Sequence, residues 1–120
     1  MKNKINSETY DSTIIREGIE FQIQNYFEPS DRFHKTRIEI VLNALQPKPG
    51  ESILDIGCGV GTFAFHSAKA GAKAVGIDYS KESINTAKQI IARYALIGSA
   101  DFLVGDALKM PFGKDRNSVV

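Results

Sequence analysis

The spacing of apolar residues changes character near residue 50. Before it, Ile15, Ile19, Ile23, Tyr26 and Phe27 recur at helical intervals. Asp11 and Ser12 stand ahead of that run as N-cap candidates, because their side-chain oxygens can accept unpaired backbone N–H groups. Pro29 should stop the helix, since the residue before a proline is pushed out of the α region. Ser30 or Asp31 can cap a second helix, striped by Ile38, Val41, Leu42 and Leu45. Gln46-Pro47-Lys48-Pro49-Gly50 is a stiff turn and the clearest internal boundary.

Beyond the turn, short apolar runs alternate with helical stretches. Ser52-Ile53-Leu54-Asp55-Ile56 predicts a strand, 62–70 a helix with Gly71 at its end, and Lys73-Ala74-Val75-Gly76-Ile77 a second strand ending at Asp78. Ser80 can cap a third helix with Ile84, Ala87, Ile91 and Tyr94 on one face. Asp101-Phe102-Leu103-Val104 predicts a third strand, running into Gly105-Asp106. Met110-Pro111-Phe112-Gly113 reads as a loop, and Asn117-Ser118-Val119-Val120 as the opening of a fourth strand. Strands alternating with helices predict a parallel sheet made of βαβ units. A parallel sheet normally has both faces covered. Three strands with one helix layer leave a face bare, which predicts a fold truncated after the third strand, a fragment or a chain completed by a partner.

The chemistry concentrates between the first strand and the helix after it, in Asp55-Ile56-Gly57-Cys58-Gly59-Val60-Gly61. Glycines let the chain turn sharply there and let a ligand lie against bare backbone. The helix N-terminus that follows favours an anionic group such as an amino-acid carboxylate. Three acids, Asp55, Asp78 and Asp106, each end a predicted strand, at the sheet edge where open α/β folds bind ligands. A carboxylate after the second strand can accept both hydroxyls of a ribose. Together these groups suit a nucleoside carrying an amino acid.

Composition narrows the classes. The chain has 120 residues, 42% hydrophobic and 24% charged, which suits one ordinary globular domain or part of one. A formal net charge of +1, with mixed signs, gives no field to draw in nucleic acid, and none is expected as a partner. No apolar run approaches the roughly 20 residues needed to span a bilayer, and the polar N-terminus lacks a signal-peptide core. The lone Cys58 rules out an intrachain disulfide and agrees with a cytoplasmic location. No metal site is expected, because one cysteine and the distant His34 and His66 give no ligand spacing.

The nine residues Ile53 to Gly61 resemble the first motif of the class I S-adenosylmethionine-dependent methyltransferases. Val75-Gly76-Ile77-Asp78-Tyr79-Ser80 resembles their second motif. Val104-Gly105-Asp106-Ala107, with Met110-Pro111-Phe112 after it, resembles their third strand and following loop. The resemblance covers residues 47–113. It implies a Rossmann-like α/β sheet with flanking helices, here preceded by two N-terminal helices. It divides the chain into an N-terminal helical segment, 1–46, as a candidate lid, and a partial cofactor-binding domain, 47–120. It also implies that the cofactor is S-adenosyl-L-methionine. Gly57, Gly59 and Gly61 would pass beneath it, and Asp55 would hold its methionine end directly or through water. Asp78 would bind the ribose, Tyr79 would pack on the adenine, and Asp106 would accept from the adenine amino group beside the Ala107 backbone. The sequence departs from the family where Asn117-Ser118-Val119-Val120 replaces an expected Phe-Asp strand.

The implied function is methyl transfer to an acceptor read as a small molecule or lipid. An NAD-dependent oxidoreductase is the runner-up. It is disfavoured by Thr62 where a third glycine belongs and by the negative charge of Asp55 near a pyrophosphate site. A non-catalytic cofactor-binding fragment is the other alternative. Cys58 reads as a small residue between glycines rather than a nucleophile. His34 and His66 read as surface or packing residues, and Tyr10 is a candidate to close over the cofactor.

Overall fold

The computed structural model describes residues 18–106 together with Ser118 and Val119. The expected caps Asp11 and Ser12, and Ile15 and Tyr10, lie outside the described residues, as does Ala107 with the loop after it.

Four parallel strands form the sheet: β1 (Ser52–Ile56), β2 (Lys73–Asp78), β3 (Ser99–Val104) and β4 (Ser118–Val119). Their order is β3-β2-β1-β4. The chain moves outward from β1 through β2 to β3, then returns to pair on the other side of β1, with Ile53 opposite Ser118 and Leu54 opposite Val119. This reversal makes the carboxyl end of β1 a topological switch point, where a crevice opens between diverging loops. Ser118 and Val119 form the short fourth strand that the Asn117–Val120 run predicts. β3 starts two residues earlier than its apolar run, because Ser99 and Ala100 pair with Lys73 and Ala74 whatever their polarity.

The helices are α1 (Arg32–Leu45), α2 (Thr62–Lys69) and α3 (Lys81–Ile91). Asp31 caps α1, accepting from the His34 backbone N–H at 2.9 Å. Ser80 caps α3, accepting from Ser83 N at 3.2 Å. Before α1, residues 18–22 are α-helical and widen into a π-helical turn, Ile23–Phe27, which stops before Pro29. No hydrophobic spacing announces a π turn, since it shifts the backbone hydrogen bond by one residue without changing the residue types required.

Two clusters form the core. Phe102 of β3 and Ala74 of β2 pack with Ala64, Ile84 and Ala87 from α2 and α3. Ile23 and Phe27 of the π turn pack with Val60, Phe65 and Ile90. The segment before α1 is thus seated on the glycine-rich loop and the helix after it. Polar ties flank that contact: Arg93 to Glu20 at 2.8 Å, Tyr94 Oη to Glu28 at 2.6 Å, and His66 Nε2 donating to the Tyr26 carbonyl at 3.1 Å. Burial pushes the pKa of His66 down. Helix α1 buries Ile38 of its stripe and half-buries Val41, Leu42 and Leu45, while Phe33 and Ile40, off the stripe, stay exposed.

Phe65 is 1% exposed and touches the rings of Phe27, Tyr94 and His66. Phe65→Ala should therefore cost about 3–5 kcal/mol, read as a lower urea midpoint at unchanged slope.

Candidate functional site

The carboxyl end of β2 organises the loops around it. Gly57 N and Cys58 N both donate to the Ile77 carbonyl, at 2.8 and 3.0 Å. The next amide, Gly59 N, donates to Asp78 Oδ2 at 2.9 Å. Asp78 Oδ1 accepts from Ser80 N at 2.8 Å, which fixes the turn into α3. The Asp78 carbonyl accepts from Gly105 N at 3.0 Å, which ties down the chain leaving β3. One residue thus joins the loops that follow three strands.

These loops enclose an open cleft of about 450 Å³. Its floor includes Gly57, which sits at φ +70°, and a Cβ there would project into open space. Asp78, Tyr79 and Asp106 line the cleft with Gly105, while Ile56 and Ile77 supply its apolar wall. The Tyr79 ring is 64% exposed, so its face is available to a flat partner. Ile56, Ile77 and Gly105 were not singled out from sequence. Each adjoins a motif residue at a strand end, and strand-end position was the signal available.

Gly61 has a different structural reason to be glycine. It is at φ +89°, and a Cβ there would meet the Phe102 ring at 2.5 Å. Its lack of a side chain lets α2 start close against β3. Gly76 plays the same part within β2, where Cys58 Sγ and the Phe102 ring both approach within 2.8 Å of where a Cβ would stand. Gly59 contributes its N–H to Asp78.

Asp55 is not among the residues lining the cleft. It is 4% exposed, and its Oδ2 has no hydrogen-bond partner among the described residues. Burial, and then the charge of Asp78, pushes its carboxyl up to about 7. Burial, then the charges of Asp55 and Asp78, push the Cys58 thiol up to about 12, which disfavours the thiolate a nucleophile needs. His34 is engaged at the helix cap, with Nδ1 2.8 Å from both Asp31 oxygens, and the Asp31 carboxyl is lowered by its bonds to His34. Among the described residues no cluster of His, Cys, Asp or Glu could hold a metal, and no helix is long and apolar enough to cross a membrane.

Residues 47–119 match a family model described as a methyltransferase domain. The 23S rRNA (uracil(1939)-C(5))-methyltransferase RlmD of Shewanella sp. (strain ANA-3) is 33% identical over 89 residues, covering 74% of this chain and 20% of that protein. The 24-methylenesterol C-methyltransferase 2 of Arabidopsis thaliana is 37% identical over 103 residues, covering 78% of this chain and 27% of that protein. The chain thus spans between a fifth and just over a quarter of these relatives. Among solved structures, the magnesium protoporphyrin IX methyltransferase (ChlM) of Synechocystis PCC 6803 with bound SAH aligns with a TM-score of 0.64 at 23% identity, over 88% of this chain and 52% of that one. The Pyrococcus abyssi tRNA (uracil-54, C5)-methyltransferase in complex with S-adenosyl-L-homocysteine gives 0.60 at 26% identity, over 71% of this chain and 21% of that one. Relatives named for RNA leave the exclusion of nucleic acid drawn from charge without support.

The raised Asp55 carboxyl has a sign that can be checked. The folded state binds this proton more tightly than the unfolded chain, so stability falls as pH rises from the ordinary carboxylate range through about 7. Asp55→Asn removes that loss. Relative to the unsubstituted protein it should gain about 2–4 kcal/mol between pH 4 and pH 8, measured by urea unfolding at each pH.

Proposed function

The chain belongs to the class I S-adenosylmethionine-dependent methyltransferases, and on that premise we propose that its cleft binds S-adenosyl-L-methionine for methyl transfer to an acceptor. The observation that carries this reading is the convergence of Gly57, Asp78, Tyr79 and Asp106 on one cleft at the switch point of the sheet. The residues fit the cofactor. The open space above Gly57 admits a ligand against the backbone. The two Asp78 oxygens already accept backbone N–H groups, yet each retains a lone pair for one ribose hydroxyl. Ribose binding therefore need not dismantle the loop.

Tyr79 would cover the adenine, Asp106 would accept from its amino group beside the Ala107 backbone, and Asp55 would lie near the methionine end. Gly59 and Gly61 would shape the loop beneath. The bound cofactor supplies a methyl group already activated by its sulfonium charge. The chain's residues then have to align the partners and exclude water. The N-terminal helical segment, 1–46, is the candidate lid, a reading supported by the contact of Ile23 and Phe27 with Val60 of the glycine-rich loop.

For the acceptor, a small molecule or lipid is the favoured reading. It is supported by the sterol methyltransferase, whose alignment with this chain is longer than that of the RNA enzyme. An RNA acceptor is the second reading, favoured by the RlmD relatives. A cytoplasmic setting accompanies either.

Calorimetric titration with S-adenosylhomocysteine and with NAD tests the proposal. S-adenosylhomocysteine should bind and NAD should bind more weakly; the reverse order would favour an oxidoreductase. Asp78→Ala should weaken S-adenosylhomocysteine at least 10- to 100-fold, since it loses ribose contacts worth about 1–3 kcal/mol together with the anchor of Gly59. An unchanged affinity would remove Asp78 from the site.

A further inference from the structure

Helix α1 packs inward along Ile38, Val41, Leu42 and Leu45, all buried or half-buried. A second side of the same helix is also largely apolar. Phe33, Arg37, Ile40 and Ala44 recur at i, i+4, i+7 and i+11, which places them in one stripe along the helix. All four are exposed, Phe33 at 68% and Ile40 at 64%. Single apolar side chains on a surface are ordinary. Two large ones aligned over two turns, on a helix already packed along another side, mark a contact surface.

The Phe33 ring is held in position. It meets the His34 ring edge-on at 5.3 Å, and His34 in turn meets Tyr26 at 5.5 Å and lies 2.8 Å from Asp31 Oδ1. A side chain fixed while exposed loses little rotamer freedom on docking. The charge around the stripe is one-sided. Arg32, Lys35 and Arg37 are exposed, and none is in an ion pair among the described residues. Against them the helix carries one acid, Glu39, which stands about a third of a turn round from the stripe. The capping Asp31 is engaged by His34. The whole chain carries only +1, so this positive charge is local.

That charge selects among occupants. In a second copy docked by the same stripe about a two-fold axis, Arg37 would face Arg37 near the centre of the contact, with no acid in either stripe to separate them. A nucleic-acid strand would accept the cations and stack on Phe33, but it offers nothing to Ile40 and Ala44. A lipid surface with anionic headgroups matches both features. Headgroups meet Arg37 and Arg32, while Phe33, Ile40 and Ala44 enter the boundary between headgroups and acyl chains.

We propose that the outer stripe of α1 docks this protein on an anionic lipid surface, with Phe33 and Ile40 as apolar anchors and Arg37 as the headgroup contact. The inference is independent of what the cleft binds.

Co-sedimentation of the full chain with vesicles tests it. Vesicles of equimolar phosphatidylcholine and phosphatidylglycerol should bind the chain about tenfold or more tightly than vesicles of phosphatidylcholine alone, and rising salt should release it. Phe33→Ser combined with Ile40→Ser, and separately Arg37→Glu, should each weaken binding about tenfold. Urea midpoints should stay near that of the unsubstituted protein, because the three side chains are exposed. Absent binding, equal binding to both vesicle types, or binding that ignores these substitutions overturns the inference. So does a dimer in analytical ultracentrifugation that Phe33→Ser with Ile40→Ser dissolves, which assigns the stripe to a second copy. Capture of a single-stranded oligonucleotide through Phe33, without vesicle binding, overturns it in favour of nucleic acid.

Discussion

Ile77 and Asp78, the last residues of β2, receive hydrogen bonds from the loops that follow β1, β2 and β3. Those loops would otherwise be independent segments, each with its own amides to satisfy. Gly57, Cys58 and Gly59 donate in succession to one carbonyl and one carboxylate, so the glycine-rich loop has a defined path although its glycines could adopt many. Gly105 closes the third side on the Asp78 carbonyl. The cleft exists because one strand end is a shared acceptor, and the sheet order places that end beside the switch point.

Electrostatics follow from the same arrangement. Asp55 lies buried on the neighbouring strand, and its burial first, then the Asp78 charge, raises its carboxyl to about 7. The apolar layer below answers a separate demand. Phe102 fills the space that Gly61 and Gly76 leave vacant, which brings α2 down onto the sheet and sets the height of the loop. Above, Ile23 and Phe27 press on Val60, so the segment before α1 and the loop share one packed contact.

Much of this was legible in the residues. The strands, the Asp31 and Ser80 caps and the gathering of acids along one sheet edge follow from apolar periodicity and from the few residue types that fit caps and tight turns. Which acid would face the cleft was not legible. Asp55 and Asp78 have the same side chain near the ends of neighbouring strands, but Asp55 lies opposite Gly76, two residues short of Asp78, and the path of the loop bridges Asp78 while Asp55 Oδ2 has no partner among the described residues. The role of Gly61 was hidden for a similar reason, since its constraint comes from Phe102, far along the chain. In helix α1 the stripe Ile38, Val41, Leu42 and Leu45 marks the side that is buried or half-buried, while the apolar residues off that stripe, Phe33 and Ile40, are exposed.

The central claim is that Asp78 can hold the loops and a nucleoside at once. A crystal structure of the chain with S-adenosylhomocysteine examines it most directly. The account predicts both ribose hydroxyls within hydrogen-bonding distance of the Asp78 carboxylate, with the amides of Gly59 and Ser80 still bound to it. A ribose held elsewhere, or an Asp78 that must release Gly59 to reach it, would contradict the account.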